Sequence, residues 1–362
     1  MSVRVRTGTV IGVTDRRPGA TEVTVEVDGE PGTGEAIAYD QVTGPVGPGD
    51  RVVLNTTSVA LGLGTGGLHI VMARLGDTPD EDTPGHIMKA RYTPSQVRVL
   101  AVEEDASPHR DAVAAVDDLG GLPVVCAELH SMVPVIAAAI RDGDRAGLRV
   151  AYVMSDGAAL PLPLSRLAGR MRSAGLLAGT ITAGQAFGGD LEAVTVHSAL
   201  AAARAVLGAD VAIVAQGPGG AGTGTRWGFS GVQMAEAVNA VAALGGRPVA
   251  CLRISSADGR GRHRGVSHHT LTALGTLALG RATVAVPVLD DPALAATVAG
   301  QLDEAGVTAR HDVAELAGPD PAKLLAGWGL EVATMGRGPA ADPPFFASAA
   351  AAGAVAARMA RP

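Results

Sequence analysis

The 362 residues carry a net charge of −7, with 47% hydrophobic and 18% charged residues; this length and apolar content point to two domains with a sizeable core. The acidic balance and the lack of any basic run exclude generic binding to nucleic acid or to an anionic membrane surface. No apolar run reaches the roughly 18 residues that span a bilayer, and the first residues alternate instead of forming a signal-peptide core, so a soluble, cytoplasmic protein is expected.

Residues 1–85 are predicted to form a small all-β domain. VRVRTGTVIGV, TEVTVEV, GEAIAYDQV, RVVLNTT and LHIVMARL alternate at period two between turn clusters, with no helix expected, as in a small barrel or sandwich. GLGTGGLH (62–69) has the glycine spacing of a dinucleotide loop, but no helical pattern follows it, so it reads as a glycine hairpin. TPDEDTP (78–84) breaks any regular element and places the boundary between Asp77 and Thr93.

From Gln96 the rhythm changes to strand, loop, helix, which assigns residues 86–362 to a second domain. The strand candidates are QVRVLAVEE, LPVVCAEL, LRVAYVM, LAGTIT, DVAIVAQ, PVACLRI and ATVAVPV; PLSRLAGRMRSA and LEAVTVHSALAAARAVL have helical spacing. Continuous Val/Ile/Ala/Leu strands suit a sheet buried on both faces. The predicted fold is therefore α/β: a Rossmann-like, doubly wound, mostly parallel sheet preceded by the small β domain. An αβα tail (292–335) and an alanine-rich helix (about 344–359) close the chain; the small residues of that helix favour a homodimer through close helix approach. Cys126 and Cys251 fall inside apolar strands and read as small core hydrophobes.

The most informative stretch is DVAIVAQGPGGAGTGTRWGFSG (210–231), a strand running into a glycine-rich loop before a helical pattern. Gly217, Gly219, Gly220, Gly222 and Gly224 allow the backbone to approach an anion at a helix N-terminus, through positive φ and a nest of N–H groups, and Thr223 and Thr225 add hydroxyl donors. Other polar residues follow the remaining strands: Glu103 and Glu104, Glu128, His130 and Ser131, Asp156, Asp190, then Arg253, Asp258, His263, His268 and His269. In a parallel sheet these share the carboxyl edge and can converge. Asp156 or Asp258 is a candidate general base or metal ligand, and His130 or His268 a candidate general acid or base. Asp156, Ser131, Asp190 and Ser267 are equally placed to cap helices. Adjacent His268 and His269 are not expected to face one ligand if helical, and no metal-ligand spacing is present, so no metal residue is assigned; Asp156, Asp258 and His268 are the only trio considered. Trp227, Phe229 and Phe187 either stack on a planar ligand or pin the long loop.

GHIMKARYTPSQ (85–96) packs one Lys, one Arg, one His and one Tyr between two prolines. With NTTSVALGLGTGGLHIVMA, SDGAALPLPLSRL, GVSHHT and MGRGP…DPPFF, it resembles a bacterial family of unknown function, of about 360 residues, from actinobacteria and firmicutes. The resemblance spans nearly the full length and implies a soluble two-domain bacterial protein; it carries over no catalytic residue. Lys89 and Arg91 either reach an anionic ligand from the domain junction or form an interdomain salt bridge.

The expected function is that of a small-molecule enzyme, a hydrolase or transferase acting on a phosphorylated or nucleotide-like anion, with the β domain as lid or dimerisation module. A non-enzymatic metabolite sensor is the alternative. A nicotinamide-dependent oxidoreductase fits less well, because the glycine loop follows the fifth strand and no acidic residue lies at ribose-binding distance. No cofactor is identified.

Overall fold

The computed structural model describes residues 3–64, 66–76 and 84–360. Strands β1 (Val5–Arg17), β2 (Ala20–Val27), β3 (Thr33–Tyr39), β4 (Arg51–Asn55) and β5 (Leu68–Arg74) close a barrel in the order β1-β2-β3-β5-β4. Only the β3–β5 pair is parallel, a five-stranded closure also met in OB-type barrels. The period-two alternation sends Val10, Val23, Val25, Ala36, Val52, Leu54 and Val71 into the barrel. The long β1 pairs with both β2 and β4 because bulges at Val10/Gly12 and Val13/Asp15 bend it. Two single-turn helices, Asp40–Thr43 and Thr57–Ala60, correct the expectation of an entirely helix-free module; they turn the chain between strands. Thr65 and residues 77–83, which hold part of the glycine turn and part of the expected boundary, lie outside the described residues.

A hairpin of β6 (Ile87–Lys89) and β7 (Val97–Val99) follows. The segment expected as the first strand of the parallel sheet thus pairs antiparallel with β6, and meets the sheet's edge at β11 through a parallel bridge from Ala101 to Glu192. Gly85 is fixed by close approach: its φ is +98°, and a Cβ would lie 2.3 Å from the Val99 carbonyl oxygen.

The main sheet holds β8 (Pro123–Ala127), β9 (Val150–Ser155), β10 (Gly179–Ala183), β11 (Leu191–Ala193), β12 (Val211–Gln216) and β13 (Arg247–Cys251). A small two-stranded unit follows, β14 (Ile254–Ser255) with β15 (Gly265–Val266), and the sheet then resumes with β16 (Thr283–Pro287) and β17 (Asp312–Leu316). The eight strands are all parallel in the order β11-β10-β9-β12-β8-β13-β16-β17. β11 corrects the helix predicted from Leu191: the helix is Val196–Ala205, and Thr195 caps it reciprocally with Ser198. One face is covered by Val133–Ile140, Arg166–Ser173 and Pro343–Met359, the other by Val196–Ala205, Gln233–Ala243 and Pro292–Glu304. Cys126 and Cys251 are free and fully buried in β8 and β13.

The closing helix Pro343–Met359 packs on Val133–Ile140, where a Cβ on Gly353 would lie 2.4 Å from the Ile136 carbonyl oxygen. Its small residues serve helix crossing inside the chain, so the sequence's reason to expect a dimer is used up there. Among the described residues no helix is long and apolar enough to cross a membrane.

Chain order sets where ligands meet this sheet. From β8 the chain runs out to one edge, returns to β12 beside β8, then crosses to β13 and the other edge. The carboxyl ends of β12, β8 and β13 therefore frame the point where the winding reverses, the usual ligand crevice of open α/β sheets.

Candidate functional site

A cavity of about 390 Å³ opens at that reversal point. Glu128, Leu129 and His130 after β8, Gln216 to Gly222 after β12, and Arg253 after β13 line it, with Arg260, His269 and the segment Ala333, Thr334 and Met335. The cavity contains four of the sequence-assigned glycines (217, 219, 220 and 222) and His130. It does not include Asp156, Asp258, His268, Thr223, Gly224 or Thr225.

The glycines act mainly through close approach. Of the five, only Gly219 has a positive φ, +83°. A Cβ on Gly217 would lie 2.7 Å from the Ala159 carbonyl oxygen, one on Gly220 2.5 Å from Gln216 Nε2, and one on Gly222 2.8 Å from His269 Cε1; Gly224 faces open space. Thr223 and Thr225 share a 2.8 Å hydroxyl bond and close the hairpin 222–229 on Gly228, at the exposed tip. Among the described residues, the N–H groups of Gly219, Gly220 and Gly222 donate to no protein acceptor. They remain available to a ligand. Phe229 pins the loop by stacking on His269 at 4.1 Å with the rings 1° from parallel, whereas Trp227 is half-exposed under the Arg226 guanidinium. Phe187 packs with Val97 and Val99 in a separate cluster.

The electrostatic centre of the wall is Glu128, buried between three donors. Arg253 Nη1 donates to it at 2.8 Å, His269 Nδ1 at 2.9 Å and Thr270 Oγ1 at 3.0 Å. Burial pushes its carboxyl up, but the bond from His269 and the Arg253 charge outweigh this and hold it at about 2. Glu128 is thus a fixed anion that orients its neighbours, and its bond to Nδ1 directs His269 Nε2 away from it. That Nε2 is buried without a protein partner. Arg253 also approaches Asp258, 3.8 Å away, and Asp258 binds Arg260 through both oxygens. The Arg260 bonds hold the Asp258 carboxyl well below the usual range, so Asp258 stands behind the cavity arginines as their counter-ion.

His130 reaches the cavity with both ring nitrogens occupied, by Tyr152 Oη at 3.0 Å and Ser165 Oγ at 2.7 Å. Burial depresses its pKa to about 4, keeping it neutral. It ties β8 to β9 and to Ser165, the N-cap of Arg166–Ser173. Arg166 in turn pairs with Glu22 of the barrel, linking the barrel to this wall. Asp156 accepts from the Gln185 N–H at 2.9 Å and Gln233 Nε2 at 3.1 Å, bracing the loop after β10. Asp190 does the same for Thr180. Of the four expected caps, Ser267 caps a helix, His268–Thr272; Asp156, Asp190 and Ser131 do not. Glu103 and Glu104 are not loop carboxylates pointing to the site: they bind the Val194 and Ala101 N–H groups.

Asp156, Asp258 and His268 are not brought together as a ligand trio among the described residues; His263, His268 and His269 are, with one ring nitrogen of each within 4.8 Å of the others. The expectation that His268 and His269 face apart is corrected here. They sit in the first turn of a five-residue helix, where long side chains still converge, and their ring centroids are 4.3 Å apart. Lys89 is fully buried, bonded to Glu192 and to the carbonyls of Thr182, Ala186 and Ala193 at 2.8–3.0 Å. The hairpin has folded across the carboxyl ends of β10 and β11, where Lys89 serves the fold and no ligand.

Glu128, Gln216, Arg253 and His269 carry the site although the glycine loop is its most visible signal. Their signal in sequence is position alone, directly after an apolar strand or beside His268. No curated protein and no solved structure matches this chain. The model of a family described as a protein of unknown function (DUF3866) matches residues 35–353, and the chain belongs to that family.

Proposed function

We propose that the protein is an enzyme acting on an anionic small molecule, phosphorylated or nucleotide-like, of the hydrolase or transferase class. One observation carries the reading: Gly219, Gly220 and Gly222, whose N–H groups donate to no protein acceptor among the described residues, line one cavity together with Arg253 and Arg260. Backbone nests and arginine forks recognise phosphoryl oxygens. A second cavity, about 550 Å³ between barrel and sheet, has Arg91 but no histidine or carboxylate in its lining, so it supplies no such chemistry.

The test is a thermal-shift and calorimetric screen of nucleotides, sugar phosphates and pyrophosphate. A stabilising ligand should bind Arg260→Gln about 10- to 100-fold more weakly, the value of a charged hydrogen bond. Asp258 retains Arg253 and Arg337 nearby, so the fold should stand. Equal affinity in the variant would sink the proposal; binding without turnover would make the chain a metabolite sensor.

A further inference from the structure

Three histidine rings meet at the back of the cavity wall, and two of them are held as metal ligands usually are. His263 Nδ1 is bonded to Ser267 Oγ at 2.8 Å and His269 Nδ1 to Glu128 Oε1 at 2.9 Å. Each bond occupies one nitrogen and presents the other, the outer-sphere arrangement that fixes tautomer and ring direction in zinc proteins. His269 is further locked by its stack on Phe229. The Nε2 atoms of His268 and His269 are buried with no hydrogen-bond partner among the described residues. Leaving two such polar nitrogens unmet in one small volume is costly unless something fills the gap between them.

We propose that His263, His268 and His269 form a binding site for a divalent transition metal of the zinc class. Three imidazoles with no fourth protein ligand among the described residues is the pattern of an open catalytic site, the remaining position going to water or to an oxygen of a bound anion. The ring nitrogens lie within 4.8 Å of one another; tetrahedral zinc with bonds of about 2.0–2.1 Å needs them about 3.3 Å apart. Closing that difference takes a movement of less than about one ångström per ring, within reach of small side-chain rotations. Of the nearby cations, Arg253 is held by Glu128 and Asp258 and Arg260 by Asp258, while Arg262, beside His263, is exposed to solvent. Because His269 also borders the cavity, the ion would sit where its open position meets the proposed anion site. The metal reading stands on the three rings and does not depend on that site.

Full-length chain, purified without a histidine tag and stripped with EDTA, is titrated with Zn²⁺ and Co²⁺ and followed by calorimetry, elemental analysis and the visible spectrum of cobalt. One ion per chain, with the intense ligand-field bands of tetrahedral cobalt, is the expected result. His268→Gln, half-buried and so least apt to disturb folding, should weaken binding by at least about 100-fold, and Glu128→Gln, acting through His269, by about 10- to 100-fold. His197→Gln, on an exposed helix surface, should bind metal like the wild type. Circular dichroism on each variant separates lost ligands from lost fold. No stoichiometric ion in the wild type, or unchanged affinity in a folded His268→Gln, would overturn the proposal.

Discussion

Arg253→Met is expected to lower the stability of the α/β part by about 3–5 kcal/mol, the cost of stranding a buried charge. The Arg253 side chain is 9% exposed, and it neutralises Glu128 at 3% and Asp258 at 4%. With it gone, His269 and Thr270 still bind Glu128, but they do not replace a permanent charge, and its carboxyl pKa should rise. The anion site should be lost with it, since Arg253 lines the cavity. Urea unfolding followed by tryptophan fluorescence gives the measurement, because both tryptophans, Trp227 and Trp328, lie in this part of the chain. Adding Glu128→Gln to Arg253→Met should recover at least about 1 kcal/mol through the coupling between touching residues. Strictly additive losses would show that the two side chains do not act as a pair.

Lys89→Met is expected to cost a similar amount, about 3–5 kcal/mol, at a site outside the cavity lining. Lys89 is wholly buried, with Glu192 3.0 Å away and three backbone carbonyls around its ammonium. Burial alone drives the pair toward neutrality, lowering the lysine pKa and raising that of the glutamate; the carbonyls make the charged form tenable. The variant leaves Glu192 with Thr182 and Gly188 as donors and no cation. Lys89→Met with Glu192→Gln should be more stable than Lys89→Met alone, and ligand affinity in the cavity should not change in either. A folded Lys89→Met of wild-type stability would show that the hairpin β6–β7 docks without this pair.

The contrast between these sites shows what sequence reveals. Barrel strands and sheet strands are legible because burial on one face writes period two and burial on both faces writes continuous apolar runs. The short β11 is hidden because Leu191–Ala193 continues the alanine-rich spacing of the helix after it; only Thr195 and Ser198, a reciprocal cap, mark the break. Residues 96–104 look like a sheet strand, since alternation shows that a segment pairs but not with what. At the site, the glycine loop is legible because close backbone approach demands glycine at Gly217, Gly220 and Gly222. Glu128 is not, because its meaning lies in Arg253 and His269, 125 and 141 residues away. The histidine cluster is obscured by the same rule that serves longer helices: adjacent residues diverge, yet one short helix beside His263 brings both rings into contact.

The cavity at the ends of β12, β8 and β13 is proposed to receive an anion. A crystal of the full chain grown with tungstate tests it most directly, because the anomalous signal of tungsten places the ion without assumption. The account predicts a peak inside the cavity, within hydrogen-bond reach of the Gly219, Gly220 and Gly222 N–H groups and of Arg260. A cavity left empty, with the ion instead in the groove lined by Arg17, Arg166, Arg170 and Arg172, would contradict it.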